Sequence, residues 1–190
     1  MSVLTSNLSG AEDRCPAGIE DGLLLRIAQG KREAFSALYR LAARPVYAYA
    51  LSVLKNPQDA EDVLQDTFLK IRSAAGTYVP HGKPMAWIMT ITRNLCLMKF
   101  RRQKRLSVYP LEETRREVDF SLIENVEDRI VVQTALKILS EEECQIIVLH
   151  AVTGWKHREI AGLLDLPLST VLSKYRRGLK KLKSELEGKL

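Results

Sequence analysis

Residues 157–179, HREIAGLLDLPLSTVLSKYRRGL, decide the fold of this 190-residue chain. Their spacing predicts a short helix over about His157–Leu164, a turn at Asp165-Leu166-Pro167 and a longer basic helix that begins near Ser169. This order is typical of a helix-turn-helix, in which the first helix braces the second and the second enters the major groove of DNA. On these residues alone, a plain helical hairpin with a solvated basic face remains an alternative.

The second helix of this motif has a predicted apolar stripe and a predicted polar side. The stripe consists of Val171, Tyr175, Leu179, Leu182 and Leu186. The polar side offers hydroxyl and cationic groups, which suit phosphates and base edges. The candidate DNA-binding residues on that side are Ser169, Thr170, Ser173, Lys174, Arg176 and Arg177.

Helical spacing continues outward through the rest of the chain, where strand-like alternation is hard to find and Gly and Pro number only 10 and 7. Helix-start patterns occur at Asn56-Pro57 and at the capping box that opens with Ser140. We therefore expect an all-α fold of two small helical domains joined by a linker. The predicted segments are an N-terminal extension (1–22), a first domain (23–105), a linker (106–126) and a second domain (127–190).

A basic cluster ends the last predicted helix of the first domain. Residues 99–105, KFRRQKR, hold five basic residues in seven. The helix before them has a predicted apolar stripe of Trp87, Ile88, Ile91, Leu95 and Met98. Aromatic and amide groups beside a basic track suit single-stranded or distorted nucleic acid. The alternative is a helix end whose cations complement the helix dipole.

An acidic helix face precedes this basic helix along the chain. The predicted apolar stripe of the helix that carries this face consists of Ala60, Val63, Leu64, Thr67, Phe68 and Ile71. Asp59, Asp62, Gln65 and Asp66 fall away from this stripe, and we expect them to lie away from the basic helix as well. An ordinary solvated face would show the same pattern. However, residues 23–105 carry fifteen basic and only five acidic residues. Because this face holds most of those acidic residues, we also interpret it as a candidate protein-docking surface.

Charge alternates along the chain in blocks. The net charge is −3 over residues 1–22, +10 over 23–105, −5 over 106–128 and +4 over 129–190. Two basic blocks that flank an acidic bridge indicate two modules that contact a polyanion.

The composition, 46% hydrophobic and 27% charged, is typical of a soluble globular protein. No apolar run approaches the ~18–20 residues of a membrane helix, and the start lacks a secretory pattern, so we expect a cytoplasmic protein without membrane insertion. We expect no cofactor and no enzymatic activity, because the chain lacks a glycine-rich phosphate loop and a metal-binding motif. Cys144, His150 and His157 have an irregular spacing for zinc, so no metal site is predicted.

Three stretches together resemble the extracytoplasmic-function (group IV) sigma factors of bacterial RNA polymerase. Residues 59–71, DAEDVLQDTFLKI, are similar to the family's second conserved region. Residues 87–94, WIMTITRN, with the basic cluster after them, are similar to its promoter-melting helix. Residues 139–171, through LSEEE, REIA and STV, are similar to its fourth region. The order and spacing of all three make the resemblance specific, and it covers about residues 23–188.

The resemblance implies a role for each surface. The helix with Asp59, Asp62, Gln65 and Asp66 would dock on the clamp helices of the polymerase, and the loop 76–84 would hold a base flipped from the −10 element. The last helix would recognise the −35 element, with Ser173 and Arg177 at matching positions, and the linker would run toward the active-site channel. An anti-sigma factor is an expected partner beside core polymerase and promoter DNA. The −10 residues would be Asn94 for bases and Arg93, Lys99, Arg101 and Arg102 for backbone.

One departure from the family pattern concerns the start of the helix-turn-helix. Lys156 stands where Ser or Thr usually caps its first helix, so we expect poor capping there.

Two other classes of protein remain as alternatives. A helix-turn-helix regulator that acts without core polymerase needs a dimer surface, and the basic N-terminal module argues against it. A nucleic-acid enzyme needs clustered acids, and we expect the only such cluster to lie away from the basic helix.

Overall fold

The computed structural model describes residues 19–106 and 126–187, which form two compact units, 20–106 and 126–187. Within these ranges the backbone forms eight α-helices and no strand, as the sequence predicts. No helix in the same ranges has the length and apolar character of a membrane span. The predicted linker, apart from its end residues, and most of the predicted N-terminal extension lie outside the described residues.

The first unit contains four helices: α1 (Asp21–Ala28), α2 (Arg32–Leu54), α3 (Pro57–Ala74) and α4 (Pro84–Leu106). A short 3₁₀ turn, Ala75–Thr77, follows α3. Gly30 separates α1 from α2 with a φ of 79°, a conformation that glycine adopts without a steric penalty. Pro45 lies inside α2 and does not divide it.

Helix α3 begins as predicted. The side chain of Asn56 accepts a hydrogen bond from the backbone N–H of Asp59 at 3.1 Å, and Pro57 is the first helical residue. The predicted apolar face is confirmed in full, because the buried residues of α3 are Ala60, Val63, Leu64, Thr67, Phe68 and Ile71.

The predicted apolar stripe of α4 was partly wrong. Met98 is 64% exposed, and Trp87 is half-buried against the ring of Tyr78, with ring centroids 5.2 Å apart. The stripe overlooked Thr92, whose buried hydroxyl donates to the carbonyl of Ile88 and is thereby satisfied within its own helix. The buried face of α4 includes Met85, Ile88, Met89, Thr92 and Cys96.

The second unit contains α5 (Val126–Ile138), α6 (Glu141–Ala151), α7 (His157–Leu164) and α8 (Leu168–Glu187). The predicted capping box is present, because Ser140 and Glu143 each bond the other's backbone N–H. Asp165 ends α7 in the left-handed conformation, with a φ of 56°, and leads into the predicted turn. Helices α7 and α8 thus form the predicted helix-turn-helix.

Helix α8 packs closely on α6 through a glycine that the sequence analysis missed. Val171 and Leu182 are buried and Tyr175 and Leu179 are half-buried, whereas the side chain of Leu186 lies outside the described part of the chain. A Cβ added to Gly178 would lie 2.8 Å from the Cδ1 atom of Ile147 on α6. A side chain at this position would force the buried Ile147 side chain or the helices themselves to shift.

Candidate DNA-binding and protein-binding surfaces

An exposed polar ridge runs along α4. Thr90, Asn94 and Arg101 follow one another at intervals of four and seven residues, so they share one helix face. All three are exposed, as is Arg102, while the predicted backbone contact Arg93 is half-buried. Together with Arg102, the ridge offers a hydroxyl, an amide and two guanidinium groups, which can donate to phosphates and bond base edges.

Lys99 does not belong to this ridge. Its Nζ atom lies 2.9 Å from Oδ1 of Asp59 and 2.6 Å from Oδ2 of Asp62, both on α3. Burial alone would lower the pKa of Lys99, but hydrogen bonds with the two carboxylates outweigh burial and raise it. The expectation that the acidic cluster lies away from the basic helix was therefore wrong, because helix packing brings α3 and α4 together at this cation.

The acidic face of α3 remains open beyond this ion pair. Asp62, Gln65 and Asp66 are exposed, and Leu69, one turn after Gln65, is 54% exposed. Asp59 differs from the others because its side chain is only 18% exposed and points to Lys99. The face therefore offers carboxylates, an amide and an apolar side chain to a partner.

The loop before α4 is held by Asp21, a residue of the predicted N-terminal extension (1–22). Asp21, the first residue of α1, accepts hydrogen bonds from the hydroxyl of Tyr78 and from the backbone N–H of Gly82, the latter at 2.8 Å. Burial and the contact with Asp21 raise the pKa of Tyr78 to about 12, so the hydroxyl keeps its proton. No sequence signal connects these residues, which are about 60 positions apart.

The predicted DNA-binding residues of α8 do not share one environment. Ser169, Ser173, Arg176 and Arg177 are exposed and Thr170 is half-buried. Lys174 has a side chain that is only 20% exposed, and its Nζ lies 2.5 Å from Oε2 of Glu142 on α6. The exposed members of the predicted set are therefore two hydroxyls and two guanidinium groups.

Glu143 connects the start of α6 to α8. Its carboxylate accepts from the Ser140 N–H at 3.2 Å and from Lys181 Nζ at 2.7 Å, and Arg177 Nε lies 3.9 Å away. Burial would raise the pKa of Glu143, but the hydrogen bonds from Lys181 and Ser140 outweigh it and hold the pKa below its ordinary value. The residue therefore stays charged and ties α8 to the capping box.

An aromatic cluster fills the space beneath the helix-turn-helix. The rings of His150 and His157 stack with centroids 4.5 Å apart, and Tyr175 contacts both edge-on. Nδ1 of His150 lies 2.8 Å from the carbonyl of Trp155. These contacts use the histidines for packing, and the described ranges contain no group of three metal-ligating side chains.

The cap of α7 is partly satisfied in spite of Lys156. A lysine side chain has no acceptor for the helix N–H groups. The carboxylate of Glu159 accepts from the backbone N–H of Lys156 at 2.9 Å, which supplies one half of a capping box.

Two family models match the chain, one in each unit. Residues 38–106 match the model described as Sigma-70 region 2, and residues 129–182 match the one described as Sigma-70, region 4. The first covers α3, α4 and most of α2, and the second covers the capping box and most of the helix-turn-helix.

Curated relatives match over most of their own length. The RNA polymerase sigma factor CarQ of Myxococcus xanthus is 30% identical over 173 residues, which cover 87% of this chain and 95% of CarQ. The ECF RNA polymerase sigma factor SigM of Mycobacterium tuberculosis (strain ATCC 25618 / H37Rv) is 31% identical over 160 residues, which cover 84% of this chain and 81% of SigM.

Solved structures share the fold at lower identity. CnrH, in its complex with the cytosolic domain of CnrY, aligns with a TM-score of 0.60 at 24% identity, over 89% of this chain and 97% of CnrH. The sigma factor RpoE of Bartonella quintana, in complex with the anti-sigma factor NepR, aligns with a TM-score of 0.64 at 22% identity, over 80% of this chain and 96% of RpoE.

Proposed function

The chain belongs to the extracytoplasmic-function (ECF) RNA polymerase sigma factors of the sigma-70 family, and from that premise we propose how its residues divide the work of promoter-specific initiation. One observation carries the proposal: a region 2 unit and a region 4 unit follow each other along the chain. Each unit also presents an exposed cationic helix face, which suits a polyanion such as DNA.

The acidic face of α3 is the proposed polymerase-binding surface. Asp62, Gln65 and Asp66 are exposed and make no contribution to the core of their unit. The exposed side chain of Leu69 beside them supplies apolar contact area. A partner helix with cations and an apolar residue complements this surface, and we assign core polymerase as that partner. Asp59 supports this surface indirectly, through its ion pair with Lys99.

The exposed ridge of α4 is the proposed −10 surface. Asn94 can donate and accept at a base edge once the base is unpaired, and Arg101 and Arg102 can hold the adjacent phosphates. The half-buried Arg93 has less freedom to reach the backbone. The loop that Asp21 holds lies just before this helix and is the proposed pocket wall for a flipped base.

The exposed side of α8 is the proposed −35 surface. Ser169, Ser173, Arg176 and Arg177 face solvent and suit phosphates and base edges in the major groove. Thr170 is half-buried at the start of the helix. Lys174 is held by Glu142, so we expect it to contribute less to DNA affinity than the two arginines do.

The site of action and the partners follow from the family. We place the chain in the cytoplasm with core polymerase and promoter DNA, and we propose regulation by an anti-sigma factor, since RpoE and NepR form such a complex. Sigma factors in general are not enzymes, and we propose no catalytic role. A regulator that acts without polymerase is a weaker candidate, because relatives that match across both units are named sigma factors.

In vitro transcription with purified core polymerase tests the proposal. The template is a duplex library in which each randomised upstream region is linked to its own transcribed barcode, and the barcodes of the transcripts identify the active upstream regions. We expect the chain to enrich two sequence blocks at a fixed separation, while core polymerase alone enriches none.

Two other outcomes contradict the proposal. A folded chain that enriches no sequence with core polymerase is not acting as a sigma factor. Tight sequence-specific binding of the isolated chain to duplex DNA at physiological salt supports the regulator. For a sigma factor, the isolated chain should bind duplex weakly and lose affinity steeply with added salt.

A further inference from the structure

Lys99 differs from the arginines that follow it on α4. Its side chain is only 23% exposed, whereas Arg101 and Arg102 are exposed. Its ammonium makes two short ion pairs with carboxylates of α3, at 2.6 Å to Asp62 and 2.9 Å to Asp59. The Lys99 ammonium is therefore already paired with carboxylates of the protein itself.

The local charge disfavours a phosphate at this position. Two carboxylates lie against one ammonium, so the negative charges of Asp59 and Asp62 stand directly beside the Lys99 cation. A phosphate that approached Lys99 would meet this negative charge and would have to displace short ion pairs. The same cluster attracts a cationic partner.

Asp62 can contact such a partner without releasing Lys99. The lysine bonds its Oδ2 atom, and half of the Asp62 side chain remains exposed. Without the lysine, the carboxylates of Asp59 and Asp62, one helical turn apart, would repel each other and lose a fixed orientation. Lys99 therefore sets the direction in which Asp62 presents its free oxygen.

We propose that Lys99 is a positioning residue of the polymerase-binding face, acting through Asp62, and not a DNA-backbone contact as the family resemblance implies. This inference rests on the proposed function of the α3 face. It assigns a residue of the basic cluster in the sequence to the acidic surface in the folded protein.

A double-mutant cycle on affinity for core polymerase tests the inference, with the full chain carrying a fluorescent label. We expect Lys99→Met to weaken core binding about five- to tenfold, and Lys99→Arg to restore most of it because a guanidinium can bond both carboxylates. In an Asp62→Asn background, Lys99→Met should weaken core binding less than twofold, because the effect of Lys99 on core binding passes through Asp62.

Arg101→Met is the matched control, since it removes one cation from the exposed face of the same helix. It should weaken binding of the isolated chain to duplex DNA more than it weakens core binding. When the DNA affinity is measured at several salt concentrations, the slope of log affinity against log salt should fall by the amount expected for about one phosphate contact. Lys99→Met should leave that salt dependence at the wild-type value. The Tm of each variant is measured, and Lys99→Gln replaces Lys99→Met if the Tm of Lys99→Met is lower than that of the wild-type chain.

Three results overturn the inference: wild-type core affinity in folded Lys99→Met, an equal loss when Lys99→Met is added to Asp62→Asn, or a reduced salt dependence of DNA binding in Lys99→Met. Failure of the proposed function itself looks different, because the wild-type chain then has no measurable affinity for core polymerase.

Discussion

The carboxylate of Glu143 on α6 and the ammonium of Lys181 on α8 lie 2.7 Å apart, although 38 positions separate the two residues in the sequence. Glu143 is only 4% exposed and also accepts the backbone N–H of Ser140. One carboxylate thus serves both the start of α6 and the position of the proposed recognition helix. The stability of the second unit should therefore depend on it.

Replacing Glu143 by Gln should destabilise the second unit by about 1–2 kcal/mol, because the charge-assisted hydrogen bond to Lys181 is lost in a buried place. Denaturant unfolding followed by circular dichroism measures this. Glu142→Gln is the matched control and should cost less than about 0.5 kcal/mol, since the Glu142 side chain is half exposed. Equal losses in the two variants would show that burial of Glu143 has no energetic importance.

Lowering the pH should remove the stabilisation that the Glu143 carboxylate gives to the second unit. The pKa of Glu143 is lower in the folded protein than its ordinary value of 4.5, so the carboxylate stabilises the fold above about pH 4.5. This stabilisation is lost as pH falls through the folded-state pKa. Unfolding free energies measured from pH 6 to pH 3 should fall more steeply for the wild-type chain than for Glu143→Gln. Parallel curves for the two proteins contradict the prediction.

Gly178→Ala should destabilise the second unit by about 1 kcal/mol, because the new methyl group overlaps Ile147 by more than helix propensity returns. In an Ile147→Val background, which removes the overlapping Cδ1 atom, the same change should become neutral or stabilising. Gly162→Ala on α7 is the control, since nothing lies within 4 Å of its Cβ position, and it should stabilise by about 0.5–1 kcal/mol. Thermal melting of the four variants tests the sign of each effect.

Asp21→Ala should loosen the loop before α4, because Tyr78 and Gly82 both lose their acceptor. Hydrogen exchange should show faster exchange of the Gly82 amide, with the amides in the middle of α3 unchanged. Tyr78→Phe removes only one of the two bonds and should leave Gly82 protected. If Gly82 exchanges at the wild-type rate in Asp21→Ala, then Asp21 does not hold the loop.

Asn94→Ala should reduce promoter opening and leave core binding unaffected, because the amide is exposed and suited to an unpaired base. Permanganate footprinting on a promoter selected from the randomised library measures opening, and a pre-melted bubble template should partly restore transcription. A melting curve for the variant tests a structural role for Asn94. Normal opening by a normally stable variant would remove the assignment.

Local features of this fold could be predicted from the sequence because they depend on residues within one or two helical turns. The Asn56 cap, the Ser140 box, the turn at Asp165 and the apolar face of α3 all follow from neighbours three or four positions apart. The all-helical class and the family followed from the order of such local patterns. The stripe of α4 was the weaker prediction, because it included the exposed Met98 and left out buried residues such as Met89 and Thr92.

Only the tertiary structure decided which long side chains meet. Lys99 appears in the sequence as part of a basic cluster, yet it reaches two carboxylates on α3, and Asp21 reaches a loop about 60 positions away. Gly178 matters because of an isoleucine on another helix. The physical reason is that helix spacing fixes which residues share a face, whereas the rotation and distance between packed helices fix what that face contacts.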